Sequence, residues 1–202
     1  MLSALKIFLP KPKLRSLAAL QQFLDGEAAH LAQRSVIDFM RNELGSLSPH
    51  AFADPVFQAK LAISRWEGFA ATLADMVVLA HAQLLEGDVP RATLDARLGD
   101  LYSVILASHP VPKHRPQGWN ADIAALRTRL AERPAGPANP QADAQATGAK
   151  IFHTLPFTPR DPVENRMVLA NAFAFGLIAC NDQLRRLLVV APLRDELVAT
   201  RQ

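Results

Sequence analysis

The sequence predicts an all-α fold: a single helical bundle of about six helices joined by proline-rich connectors. Three observations predict it. Material for strands and hairpins is scarce, with nine glycines and one tyrosine in 202 residues, while the helix formers Ala, Leu, Arg and Gln recur. The 15 prolines gather mainly at 10–12, 110–116, 134–140 and 156–162, which leaves long proline-free segments that they punctuate rather than break. Within those segments the apolar residues recur at helical spacing. Half of the chain is apolar and a fifth is charged, an ordinary globular balance. A chain of this length hides roughly 70% of its extended surface on folding and needs no staples.

Residues 1–13 read as a tail. Leu2, Leu5, Ile7, Phe8 and Leu9 combine with Lys6, Lys11, Lys13 and Arg15. A short membrane-surface anchor through residues 1–15 is one reading, and a tail packed on the body is the preferred one. A first helical region spans about 14–44, with Asp25-Gly26 as a division between two helices and Gly45 as its stop. A second helix spans about 55–85, with Asp54 as N-cap, Pro55 at its first position and Gly87 as its end. On a helical projection Leu73, Met76, Val77 and Ala80 share a broad apolar arc, and Ser64, Glu67, Thr72 and Asp75 lie on the opposite, polar side.

A third helix follows over about 90–108, capped by Asp88, and then an extended connector, His109 to Pro116. A fourth runs over about 120–133. Residues 133–141 are the best linker, within what reads as one domain over 1–202. A weak helix covers 142–155. The last helix has the strongest start, with Asp161 as cap, Pro162 in the first turn and Glu164 at N3. It should reach about Val190, where Ala191-Pro192 ends or kinks it. Its middle, Val168 to Ala179, is apolar on every side except at Asn171, so it reads as central in the bundle together with helix 55–85.

Several function classes fall away. A net charge of +3 without a dense basic patch argues against nucleic-acid binding. Cys180 is the single cysteine, so the chain forms no internal disulfide and no multi-cysteine metal site; it reads as a packed core residue. The order of charged and apolar residues at the start does not fit a secretory leader. No uninterrupted apolar stretch reaches the ~20 residues of a membrane-spanning helix. A cytoplasmic location is expected. Nucleophile-elbow, Walker A, dinucleotide-fingerprint, HExxH, EF-hand and CxxC patterns are absent.

What remains are constellations. Glu27 and His30, at i and i+3, meet on one helix face in the arrangement of di-iron bundles; Glu67, Asp75 or His81 would have to complete such a metal site, and a solvated surface pair is the preferred reading. His109 and His114 flank an exposed loop without zinc partners. Glu164, Asn171 and Asp182 share one face of the last helix, and Asn181-Asp182 with Arg185-Arg186 flank its end. Asn171 reads as an interhelical hydrogen bond; with Glu164, Asn181 and Asp182 it alternatively lines a small-ligand groove. The leading expectation is a non-catalytic helical interaction protein (an adaptor, chaperone or regulator) that binds a protein partner or forms a homodimer. A ligand-binding or metal-dependent helical-bundle enzyme and a peripheral membrane protein are the alternatives. Catalysis is left open, with no catalytic residue set assembled and no cofactor expected.

Overall fold

The computed structural model describes residues 11–86 and 89–199, and among them every regular element is helical. In chain order these are α1 (Leu17–Leu44), a 3-10 turn (Gly45–Leu47), α2 (Ser48–Ala53), α3 (Pro55–Leu85), α4 (Arg91–Ala107), α5 (Asn120–Glu132), α6 (Pro140–Phe152), α7 (Pro162–Leu187) and α8 (Val190–Val198). The expected all-α fold is present. Gly87, Asp88 and the apolar residues Leu2 to Leu9 lie outside the described residues.

The helix starts follow their capping chemistry. Ser16 Oγ accepts from the Ala19 amide at 3.1 Å, Asp54 Oδ1 from Val56 at 2.9 Å, and Asp161 Oδ1 from Val163 and Glu164 at 3.0 and 2.9 Å. Each satisfies amides that the helix itself leaves without a partner. Gly45 ends α1 at φ 52°, a left-handed conformation that suits glycine.

Three helices differ from expectation. The weak helix expected over 142–155 is α6, Pro140–Phe152, and it begins inside the expected 133–141 linker because Asn139 caps it. α1 is one unbroken helix, because nothing lies within 4 Å of where a Gly26 Cβ would sit and the outward glycine costs only its propensity. α7 stops at Leu187, three residues before the expected end, and Pro192 falls in the first turn of α8. A proline there lacks only an amide that the helix would not use.

α3 is the axis of the bundle, packed by α1, α4, α6 and α7. Its apolar arc carries Leu73, Met76, Val77 and Ala80, all fully buried. α6 and α7 are the most closely packed pair: a Cβ on Gly148 would come within 2.6 Å of Ala170 Cα, so the two backbones nearly touch. Gly176 does the same for α1, lying under Leu31.

α7 departs from its expected central place. Of the most apolar stretch of α3, 89% is buried inside the protein, against 39% for α7. Both helices have the length and composition to cross a membrane, which no uninterrupted apolar run in the sequence suggests. α3 satisfies that apolarity within the fold, while α7 meets the rest of the described residues on one side only.

Residues 11–16 form a strap across the α7–α8 junction. The Leu14 amide donates to Leu187 O at 2.9 Å and its carbonyl accepts from Val189 N at 3.0 Å. Lys11 Nζ reaches Gln183 Oε1 at 2.7 Å and also pairs with Glu27, and Lys13 Nζ donates to Arg186 O at 2.5 Å. Lys11 and Lys13 are therefore tied to the body.

Candidate functional site

Two regions hold the chemistry of this molecule, and both invert the polarity pattern of their helices. The first is the polar side of α3. Ser64, Glu67, Thr72 and Asp75 are buried, with Asp75 only 1% exposed, because α5, α6 and the 108–119 connector pack over that side. Buried charge survives only when paired, and each carboxylate is.

Glu67 is held in a fork by Arg115, whose Nε donates to Oε1 at 2.6 Å and whose Nη2 donates to Oε2. His114 Nε2 lies 2.9 Å from the same Oε1, and Lys150 lies 3.6 Å from Oε2. Arg115 also pairs with Asp122 through Nη1 and stacks 4.5 Å over the Trp119 ring. Burial pushes the Glu67 carboxyl up, but the Arg115 and His114 hydrogen bonds and the Arg115 and Lys150 charges outweigh it and hold it at about 2.

Two turns on, Asp75 accepts from Thr147 Oγ1 at 2.5 Å and from Arg129 Nη1 at 2.8 Å, and Arg129 also pairs with Asp143 at 2.8 Å. Burial raises the Asp75 carboxyl to about 6, since Arg129 and Thr147 draw it back only in part. At the far end, fully buried His81 sits 2.6 Å from Asp95 Oδ1. Desolvation lowers its pKa against the pull of Asp95.

A carboxyl near neutrality beside a cleft of about 190 Å³ lined by Asp75, Asp122, Arg129, Thr147 and Lys150 has the look of a general acid–base site. Its oxygens, however, are both committed to groups of the protein. The region is an ionic core that fastens α5, α6 and the connector to α3. The expected exposed histidines belong to it or lie beside it: His114 docks on Glu67, and His109 Nε2 sits 2.8 Å from Asp25 Oδ1 with its ring edge-on to Trp66 and Phe69.

The second region is the outward side of α7. Val163, Met167, Val168, Phe175 and Ile178 are all exposed, Phe175 to 75%. Glu164, Val168, Asn171, Phe175, Ile178, Asp182 and Arg185 follow one another at alternating steps of four and three, the spacing of a helix–helix seam. The seam is apolar in the middle and charged at both ends. Beside it lies a notch of about 420 Å³ between α1 and α7, bordered by Leu31, Arg34, Asp38, Val168, Phe175 and Gly176.

The residues singled out from sequence separate accordingly. Glu164, Asn171 and Asp182 do share a face, and it is the solvent-facing one. Asn171 is exposed and makes no interhelical bond among the described residues; the expectation of a buried register bond fails because no described helix covers that side. Asn181 turns away, and its Oδ1 accepts from Gln83 Nε2 at 2.8 Å. Glu27 is engaged by Lys11 and His30 is exposed. Among the described residues no three His, Cys, Asp or Glu side chains gather closely enough to hold a metal. Cys180 is buried, which raises its thiol to about 11, with the Glu27 charge adding to it.

Sequence reasoning missed Phe175 and its neighbours. The signal for them was present in the four-and-three spacing, which becomes meaningful once α7 is known to be uncovered. Compared with protein-family models, curated proteins and solved structures, the chain matches none of them.

Proposed function

We propose that this chain is a non-catalytic helical interaction protein that binds another protein through the outward face of α7. The observation that carries the reading is the exposed apolar seam centred on Phe175. Isolated surface hydrophobics need no explanation, but a contiguous stripe on one helix marks a contact site. The buried charges support the reading from the other direction, since each is already paired within the fold.

Native mass spectrometry of the protein purified from its own cells tests it, with wild type compared against Phe175→Asp. The expected result is a stoichiometric protein mass, another chain or a second copy, on the wild type and its loss in the variant, with helicity by circular dichroism unchanged. A wild-type sample carrying no protein mass would overturn the reading.

A second reading, ligand binding, rests on the cleft of about 300 Å³ lined by Ala29, Gln33, Arg65, Trp66, Phe69 and His109. Aromatic walls with a few convergent polar groups are the usual form of a small-molecule site. A stoichiometric small-molecule mass in the same spectra, absent from Trp66→Ala, would favour it.

A further inference from the structure

We propose that the occupant of the α7 face is a second copy of this chain, packed antiparallel across a twofold axis near Phe175. This rests on the interaction reading above and names its partner. Two properties of the face make it complementary to itself.

The first is charge. The seam begins with Glu164, near Arg166, and ends with Asp182, Arg185 and Arg186, all exposed, and none of the five has an ion-pair partner among the described residues. Glu164 lies 11 residues before Phe175 and Arg186 lies 11 after it, about 16 Å along the axis in each direction. An antiparallel pair centred on Phe175 therefore sets Glu164 of each copy against Arg186 of the other, twice by symmetry. A parallel pair would set Glu164 against Glu164 and Arg185 against Arg185. The helix macrodipoles also favour the antiparallel arrangement.

The second is shape. Phe175 projects from the middle of the seam, and the notch between α1 and α7 lies to one side of it, along Ala172 and Ala179. An antiparallel twofold centred on Phe175 keeps each residue's position across the face, so a projecting ring at the centre meets its own copy there. The two Phe175 rings then pack against one another at the axis and give the contact a buried aromatic centre.

The test is sedimentation equilibrium of the full chain, wild type and variants. Wild type is expected at twice the 22.0 kDa chain mass, and Phe175→Asp at the monomer mass with unchanged helicity. Glu164→Arg alone is expected to weaken association about tenfold, the effect of losing two modest charge pairs. Adding Arg185→Glu and Arg186→Glu to Glu164→Arg in the same chain is expected to restore it, which a parallel pair would not require. A monomeric wild type, or a dimer indifferent to Phe175→Asp, would overturn this inference. If a different protein still co-purified in a Phe175-dependent manner, the interaction reading would stand without it. If Phe175 instead governed binding to anionic phospholipid vesicles by a monomeric chain, both would fall.

Discussion

The polar side of α3 and the outward side of α7 form a matched pair of opposites. Glu67 and Asp75 are charged and buried; Met167, Phe175 and Ile178 are apolar and exposed. The difference lies in what the rest of the chain supplies. α5, α6 and the connector bring Arg115, Arg129 and Lys150 to α3, so its carboxylates can leave water. Nothing in the described chain covers the outward side of α7, so its apolar residues cannot. Burial follows the partners available, and the outward side of α7 has none among the described residues.

The sharpest way to break this contrast is to unbalance the ionic core. Glu67→Gln leaves Arg115 and Lys150 without their shared carboxylate and is expected to cost about 3–5 kcal/mol in urea unfolding. A loss under about 1 kcal/mol would mean that the site is wetter and looser than the geometry implies.

Acid and base should act on the two α3 carboxylates in opposite senses. Glu67 is held near 2, so its contribution is complete above 4.5 and is lost as the pH falls toward 2. Asp75 is raised from 3.8 to about 6, so its contribution is complete below 3.8 and is withdrawn as the pH rises through 6, by about 3 kcal/mol. Denaturant unfolding between pH 4 and 8 should show that decline, and Asp75→Asn should flatten it. A decline that persisted in the variant would assign it to another group.

Gly148→Ala tests the packed side of α7. The new methyl would meet the Ala170 backbone, which cannot rotate away, and the expected loss is about 1–3 kcal/mol with a lowered Tm. The smallest effect belongs to the uncovered side: Phe175→Asp should leave the stability of the monomer within about 0.5 kcal/mol. A large loss there would show that Phe175 belongs to the core and would erase the contrast.

Much of the fold was legible from local chemistry. Asp54-Pro55 and Asp161-Pro162 place two helix starts to the residue, and Gly45 places one stop, because capping acts over a few positions. The ionic core was not legible, since its partners are remote in sequence: His114 stands 47 residues from Glu67, and Thr147 stands 72 from Asp75. A helical projection sorts residues by side and is silent on what will cover each side. For the same reason an apolar run such as Val168 to Ala179 reads alike whether it faces a core or a partner. The face shared by Glu164, Asn171 and Asp182 was legible, and its exposure was not.

The strap at Leu14 has a further consequence, for the order in which the molecule can be completed. Its hydrogen bonds go to Leu187 and Val189, and Glu196 of α8 accepts from the Leu17 amide at 2.6 Å, at the very start of α1. The Lys13–Arg186 bond beside it spans 173 residues. During synthesis α1 and its Ser16 cap are made early, yet the groups that fasten the start of that helix, on Leu187, Val189 and Glu196, are made more than 140 residues later. The start of α1 is locked only when α8 arrives.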